Sequence, residues 1–186
     1  MTNKFLVTIV SLSTLLIGQS VWAVNKLQNV VQSPQPNSSV TQTSSVMGLT
    51  TESAGIKVGE TFEVDLYIQP SQGNKIQALD TLINFNKDSL EISQITPLLD
   101  SQTAEYPQSK FDNNSGKAWI STILPQNTIS EKTTIARLAF TALKPGSTEI
   151  NFDFQKNKTT DSNVVLENKT TDSLDSVQGL TLDIQP

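Results

Sequence analysis

The sequence predicts an all-β protein, an antiparallel β-sandwich with jelly-roll topology and an immunoglobulin-like appearance. Apolar and polar residues alternate over many short runs, which is the pattern of half-buried strands. Turn-forming residues separate these runs, and no segment carries the long apolar stripe of an amphipathic helix. Short alternating strands with turns between them favour two packed sheets around one core.

The N-terminal residues are not expected to join that fold. Lys4 precedes an apolar stretch from Phe5 to Gly18, and Val21 and Ala23 lie where a signal peptidase requires small residues. Residues 1–23 are therefore predicted to be a signal peptide. An uncleaved anchor is the alternative, and it would be the chain's membrane contact. In both cases the remainder is expected to be extracellular or at the cell surface.

A linker and one domain are expected to follow. Residues 24–45 are predicted to be a polar linker, because Gln32 to Ser45 consists almost wholly of Gln, Ser, Thr, Asn and Pro. Such a segment buries too little apolar area to offset its chain entropy. Residues 46–186 are expected to form the sandwich.

The first three strands are expected at Val46–Glu52, Thr61–Gln69 and Lys75–Phe85. The segment Val46–Glu52 is predicted to be an edge strand. The other two alternate clearly and are separated by a turn that contains Gly73. This arrangement predicts that they pair antiparallel and share one core face.

The middle of the domain is expected to contain a short strand, a loop and a hairpin. Leu90–Ile95 forms a short apolar run, and residues 98–108 are polar and irregular, as in a long loop. The strands Ser109–Asp112 and Lys117–Leu124 flank Asn113-Asn114-Ser115-Gly116, whose residues favour a tight turn. An EF-hand calcium loop does not fit this spacing.

The last strands are expected at Thr133–Leu143, Glu149–Phe154 and Gly179–Gln185. Between them the hexapeptide NKTTDS occurs twice, at 157–162 and 168–173. Both copies are expected to be mobile surface loops, with a polar binding loop or a cation ligand set as the functional alternative. The apolar run Val164–Leu166 between them is expected to add a strand or pack on the sandwich edge.

The core is expected to include one apolar residue from every second position of these strands. Its predicted members are Phe62, Val64, Leu66, Ile83, Phe85, Leu138, Phe140, Phe152 and Leu182.

Composition excludes several chemistries. The chain has 18 acidic and 13 basic residues, with no histidine and no cysteine. A thiol nucleophile, a Ser-His-Asp triad, a histidine base and an ordinary zinc site are therefore excluded. No basic patch indicates nucleic acid as a partner. No carboxylate pair across a cleft is evident, so we expect no enzyme. No cofactor and no metal site are predicted.

Several motifs resemble the bacterial cohesin family. They are Val58-Gly59-Glu60 before a strand, then Ile76-x-Ala78-Leu79-Asp80-x-x-Ile83-x-Phe85-Asn86, and later Ala136-x-Leu138-x-Phe140-x-Ala142. Asn86-Lys87 departs from the Asp-Pro that the family often has at this point. Cohesins share a jelly-roll sandwich with a superfamily of carbohydrate-binding modules. The resemblance implies a secreted, non-catalytic module that docks a dockerin-like or other extracellular protein in an extracellular or polysaccharide-associated assembly.

The resemblance also implies a partner-binding site. In cohesins an acidic residue at the position of Asp80 lies on the sheet that receives the dockerin. Ala78 and Leu82 flank Asp80 on the face expected to point away from the core, and a partly apolar outer face often marks an interface. A solvated carboxylate that blunts edge pairing is the alternative for Asp80.

Two aromatic residues support a different function. Exposed rings stack on sugars, and Tyr67 is expected to point outward beside Asp65 and Gln69. Trp119 alternates with Lys117 and Ser121 and could also face outward. These two rings are the candidates for a carbohydrate-binding module with a polysaccharide partner, unless they are ordinary core and strand aromatics. A structural domain of an envelope protein is the third possibility.

Overall fold

The structure, a computed structural model, describes residues 45–186. The signal peptide predicted for residues 1–23 and the linker predicted for residues 24–45, apart from Ser45, lie outside the described residues. Within residues 45–186 no helix is long and apolar enough to span a membrane.

Eleven strands make up the described part of the chain. In order they are β1 (Val46–Thr50), β2 (Thr61–Gln69), β3 (Ile76–Phe85), β4 (Leu90–Pro97), β5 (Glu105–Asp112), β6 (Lys117–Ile123), β7 (Thr133–Ala142), β8 (Gly146–Phe152), β9 (Asn163–Leu166), β10 (Ser176–Gln178) and β11 (Leu180–Ile184).

The strands form two sheets that enclose one core. The first sheet has the order β10-β1-β2-β7-β4, and the second sheet has the order β11-β8-β3-β6-β5, with β9 also paired to β3. The β1–β10 pair is parallel, and the other strand pairs are antiparallel. The predicted fold class, an antiparallel β-sandwich, is confirmed.

The predicted pairing of β2 with β3 is wrong. β2 lies between β1 and β7 in the first sheet, whereas β3 lies between β8 and β6 in the second. The chain crosses from one sheet to the other through the turn at Gly73, where φ is +79°. Alternation shows that each strand has an inner face. Two strands that face each other from opposite sheets show the same alternation as two strands that pair within one sheet, so the pattern does not identify the partner. β1 is also not an edge strand, because β10 covers its outer side.

The buried residues confirm the core that the alternation predicts. All nine residues predicted to be core are buried, and Val64, Leu66, Leu138 and Phe140 are completely inaccessible. Phe140 on β7 stacks on Phe62 with ring centroids 5.9 Å apart, and meets Phe85 edge-on at 5.5 Å. Since Phe62 and Phe140 belong to the first sheet and Phe85 to the second, these rings join the two layers.

The hairpin between β5 and β6 forms where the sequence predicts it. Gly116 has φ +65°, and its carbonyl accepts a hydrogen bond from the amide of Phe85 at 2.9 Å. Ser115 Oγ donates to Asp112 Oδ2 at 2.7 Å, and the amide of Asn114 donates to the other carboxylate oxygen at 2.9 Å. The Ser115 hydroxyl, followed by that amide, lowers the pKa of Asp112.

Strand assignments differ from the prediction mainly at β5 and β10. β5 begins at Glu105, inside the predicted loop, and its edge position accommodates Pro107, which has no amide hydrogen to donate. β10 was not predicted, because its three residues are too few to show a period. The apolar run Val164–Leu166 does add a strand, β9, as expected.

Candidate partner-binding face

The outer face of β3 carries the three residues predicted to bind a partner. Ala78, Asp80 and Leu82 are half-buried and alternate with Leu79, Thr81 and Ile83, which are buried in the core. A strand places every second residue on one side, so the three side chains lie in a row on the outer face of the second sheet. Their position follows from the alternation in the sequence, whereas their role as partner contacts stays a prediction.

The register with β6 and β5 arranges this face in three rungs across the sheet. In the central rung Asp80 lies opposite Ser121, which lies opposite Gln108. In the next rung Leu82 lies opposite Trp119, which lies opposite Lys110. In the third rung Ala78 lies opposite Ile123, which lies opposite Glu105. We call this surface the outer face. A carboxylate in a polar rung is thus flanked by an apolar residue pair on each side.

A lysine lies over the indole of the outer face. Trp119 is half-buried, and Lys110 Nζ lies 5.4 Å from the centroid of its ring. Such contacts contribute modestly at exposed sites and hold the aliphatic part of the lysine over the ring. Sequence alone left the facing of Trp119 open; the structure places it outward, next to Leu82.

The strand β9 extends the outer face on the other side of β3. Asn163 lies opposite Asp80, and Val165 lies opposite Ala78. A pocket of about 300 Å³ lies beside Asp80, lined on this side by Thr159, Thr160 and Asp161 of the first NKTTDS copy. Asn157 to Thr160 are exposed, as a surface loop requires, whereas Asp161 is 2% exposed and the side chain of Ser162 is bonded to β3. The mobility of this copy stays a prediction.

The prediction that the Tyr67 ring is exposed is wrong. Tyr67 is 7% exposed and lies opposite Gly48 in the first sheet. Its hydroxyl donates to Gln178 Oε1 at 2.5 Å, and Lys132 Nζ covers the ring at 3.9 Å from the centroid. Burial raises the pKa of the Tyr67 phenol. The missing side chain at Gly48 makes room for the ring, and sequence alternation shows neither this room nor the residues that cover it.

The two candidate sugar-stacking rings therefore lie apart. Tyr67 belongs to the first sheet and Trp119 to the second. Rings on opposite sheets of a sandwich cannot form one flat platform for a saccharide. Trp119 remains as a single half-buried indole on the outer face.

The opposite surface of the sandwich carries an ion-pair cluster. Arg137 Nε and Nη2 donate to the two oxygens of Asp65 at 2.7 and 3.1 Å, and Nη1 lies 3.0 Å from Glu63 Oε2. The hydrogen bond and charge of Asp65, with the charge of Glu63, raise the pKa of Arg137. Asp65 and Glu63 thus share one partner, the guanidinium of Arg137, in a structural cluster. Among residues 45–186, no three acidic side chains converge as a metal site would require.

Comparison with known proteins identifies the family. The model of the Cohesin domain matches residues 45–178, which is most of the chain. The chain belongs to the cohesin family. No curated protein matches the chain.

Solved cohesin structures resemble this fold at low sequence identity. A cohesin module from a family 33 glycoside hydrolase of Clostridium perfringens is 18% identical, with a TM-score of 0.59 over 76% of this chain and 98% of that one. The third cohesin of ScaC from Acetivibrio cellulolyticus, solved with the ScaB dockerin, is 12% identical, with a TM-score of 0.60 over 75% and 98%. A type I cohesin–dockerin complex from Clostridium thermocellum matches at 10% identity, with a TM-score of 0.58 over 76% and 99%.

These likenesses confirm the cohesin sandwich. The fold persists at such low identity because it depends on buried alternation and turn positions more than on particular side chains. A shared fold at this identity does not transfer partner contacts from one cohesin to another.

Proposed function

We propose that this cohesin domain is a secreted, non-catalytic docking module that binds a dockerin-like extracellular protein through the outer face. The observation that carries the proposal is the rung pattern, in which Asp80 lies between the Leu82–Trp119 pair and the Ala78–Ile123 pair. Protein interfaces combine an apolar centre with a few well-placed polar groups. A carboxylate among apolar neighbours can attract a hydrogen-bond donor of the partner and fix the orientation in which the partner binds.

The shape of this face favours a protein over a small substrate. The outer face is the pleated surface of a sheet, and its pocket near Asp80 is only about 300 Å³. Ligand sites for small molecules usually enclose most of the ligand. Solved cohesins of the same fold are found in complexes with dockerins, which supports the same class of partner here.

A matched pair of variants tests the docking face. Asp80→Ala removes a carboxylate from the outer face, and Glu91→Ala removes one from an exposed position of β4 in the first sheet. Both variants change the net charge equally. Titration calorimetry with a panel of recombinant dockerins should show affinity weakened about tenfold or more by Asp80→Ala, because a hydrogen bond to a charged group contributes about 1.5–3 kcal/mol. Glu91→Ala should bind like the parent.

Either of two results would contradict this proposal. Equal weakening by both variants would indicate a general charge effect, and unchanged binding by Asp80→Ala would place the interface elsewhere. If no dockerin in the panel binds, the docking class itself fails for this set of partners.

Carbohydrate binding is the second candidate, and the outward-facing indole of Trp119 favours it. A sugar ring that stacks on a flat aromatic ring buries apolar surface. Trp119→Ala should therefore abolish retention on insoluble polysaccharide, while Asp80→Ala should leave it unchanged. The reverse pattern would favour docking. A structural envelope domain would give neither dockerin binding nor polysaccharide retention.

Secretion belongs to the same proposal. Lys4 and the apolar stretch from Phe5 to Gly18 have the order of a secretory signal, and Ala23 offers a cleavage site. Mass spectrometry of the protein recovered from culture medium should give a mature N-terminus at Val24. Recovery of the full chain with the cells would indicate the uncleaved anchor.

A further inference from the structure

The duplicated hexapeptide NKTTDS folds into the same turn twice. Asn157 and Asn168, the first residue of each copy, have φ of +67° and +62°. In each copy the following lysine amide donates to a carbonyl three residues earlier, at 3.0 Å. Asparagine tolerates this left-handed conformation better than most residues. The two turns are therefore matched in sequence and in backbone.

The first copy is built into the outer face. Ser162 Oγ accepts a hydrogen bond from the amide of Leu82 at 2.9 Å and donates to the carbonyl of the same residue at 3.2 Å. Leu82 lies between the β3 residues that pair with β9 and those that pair with β8. The serine thus fills the interruption in the strand ladder. Asp161 Oδ2 accepts from the amide of Gln155 at 2.5 Å, which fixes the other side of the turn.

This anchoring makes Thr159 and Thr160 one wall of the pocket beside Asp80. Leu82 and Trp119 contribute apolar surface to the same pocket, and Ser121 contributes a hydroxyl. The wall, the apolar surface and the carboxylate therefore surround one space.

The charge in this pocket has one sign. Asp80 and Asp161 are its charged lining residues, and no basic side chain lines it. Asp161 is 98% buried, and its Oδ1 has no hydrogen-bond partner among the described residues. Buried carboxylate oxygens normally accept hydrogen bonds, so Asp161 Oδ1 lacks a donor, and the lining residues supply no positive charge. Lysine and arginine supply both, on an aliphatic stem that covers apolar surface.

The second copy lies elsewhere. Asp172 Oδ1 accepts from the amides of Val164 and Leu174 at 3.1 and 2.9 Å, and the amide of Ser173 donates to the carbonyl of Val164 at 2.8 Å. These contacts place the second turn against β9, and none of its residues lines the pocket. It is a natural control for the first.

We propose that this pocket receives one lysine or arginine side chain of the docked protein, and that the Thr159–Thr160 wall helps to select it. The inference rests on the proposed docking function. The cationic head faces Asp80, the hydroxyls of the wall accept its remaining donors, and its stem contacts Leu82 and Trp119. Charge-assisted hydrogen bonds are roughly twice as strong as neutral ones, so a neutral side chain of the same shape is disfavoured.

The test uses two small probes of nearly the same shape, one cationic and one neutral. The ¹⁵N-labelled full chain is titrated with Nα-acetyl-arginine amide and with its neutral isostere Nα-acetyl-citrulline amide, at equal ionic strength, and followed by NMR. Arginine should saturably shift the Trp119 indole resonance and the amides of Thr159 and Thr160. Citrulline should bind at least about fivefold more weakly, because the charge-assisted bonds are lost.

Two kinds of variant assign the effect to the pocket. Asp80→Asn should reduce arginine affinity to the level of citrulline. The double variant Thr159→Ala with Thr160→Ala should weaken arginine binding at least about threefold, since two acceptors are lost. The matched double variant Thr170→Ala with Thr171→Ala should leave it unchanged. Thermal unfolding of each variant shows whether its fold is intact.

Several results would overturn the inference: equal shifts by arginine and citrulline, arginine shifts that survive Asp80→Asn, no shifts at all, or saturable shifts of the same resonances by calcium chloride but not by arginine. The dockerin panel judges the docking function separately. If Asp80→Ala abolishes dockerin binding but arginine does not bind, docking stands and the pocket assignment fails. If arginine binds but no dockerin does, the pocket chemistry stands and dockerin docking fails.

Discussion

Replacing Phe140 with alanine tests whether the three-ring contact joins the two sheets. Phe140 is fully buried, and its ring contacts Phe62 and Phe85. Losing a buried side chain of this size removes about 1.5–3 kcal/mol of transfer free energy. The two aromatic contacts add about 0.5–1.5 kcal/mol each, and the cavity adds more unless the core collapses. We therefore expect Phe140→Ala to lower the free energy of unfolding by about 3–5 kcal/mol.

Urea unfolding followed by fluorescence and circular dichroism measures this loss. The control is Phe111→Ala on the edge strand β5, where the side chain is 37% exposed. That variant should lose less than about 1 kcal/mol, because more than a third of the ring is already in water and its loss at the sheet edge leaves no enclosed cavity. A loss below about 1 kcal/mol for Phe140→Ala would show that the ring is not a central core contact. A changed urea slope would require a comparison of the denatured states before any value is assigned.

Two further predictions concern the β5–β6 hairpin. Gly116→Ala should destabilise the protein by more than about 1–2 kcal/mol, because the residue has φ +65° and a Cβ would collide with the carbonyl of Phe85. The control is Gly73→Ala, where φ is +79° and no atom lies within 4 Å of the added Cβ. In urea unfolding this variant should lose only the free energy that the left-handed backbone costs an alanine. Equal losses of unfolding free energy in the two variants would refute the collision at Gly116. Ser115→Ala should raise the pKa of Asp112, measured by ¹³C NMR titration, because the serine hydroxyl is the main cause of its lowered value. A folded pKa below the unfolded one stabilises the fold at higher pH, and this contribution is lost as pH falls through the folded pKa; an unchanged titration in the variant would contradict that role.

Local pattern predicted the strands well and their partners poorly. Alternation over residues 61–69 fixed the strand and its buried face, because both depend on the backbone period of two. The partner of that strand depends on contacts distant in sequence, and β2 pairs with β7 at residues 133–142. A short turn such as the one at Gly73 can close a hairpin or cross between sheets. The sequence nearby does not distinguish these outcomes.

The features of the candidate site likewise include some that were predictable from one strand and some that were not. The outward facing of Asp80, with its neighbours on β3, followed from alternation and the structure agrees. The burial of Tyr67 depends on Gly48, Lys132 and Gln178, which are brought together only by the folded chain. The outward direction of Trp119 follows from its register with Leu82, which the sequence alone does not give. Features that need one strand were predictable, and features that need several were not.

The two NKTTDS copies show the same separation within one molecule. Their identical sequence gives the same turn at the start of each copy, since the left-handed asparagine and the lysine amide bond are local. Their aspartate and serine side chains nevertheless find different partners. Ser162 reaches Leu82 because β3 changes its partner strand at that residue, and the second copy meets the other side of β9 instead. Position relative to β3, rather than local sequence, gives the first copy its place beside Asp80. An identical hexapeptide can therefore line a pocket at one location and pack against β9 at another.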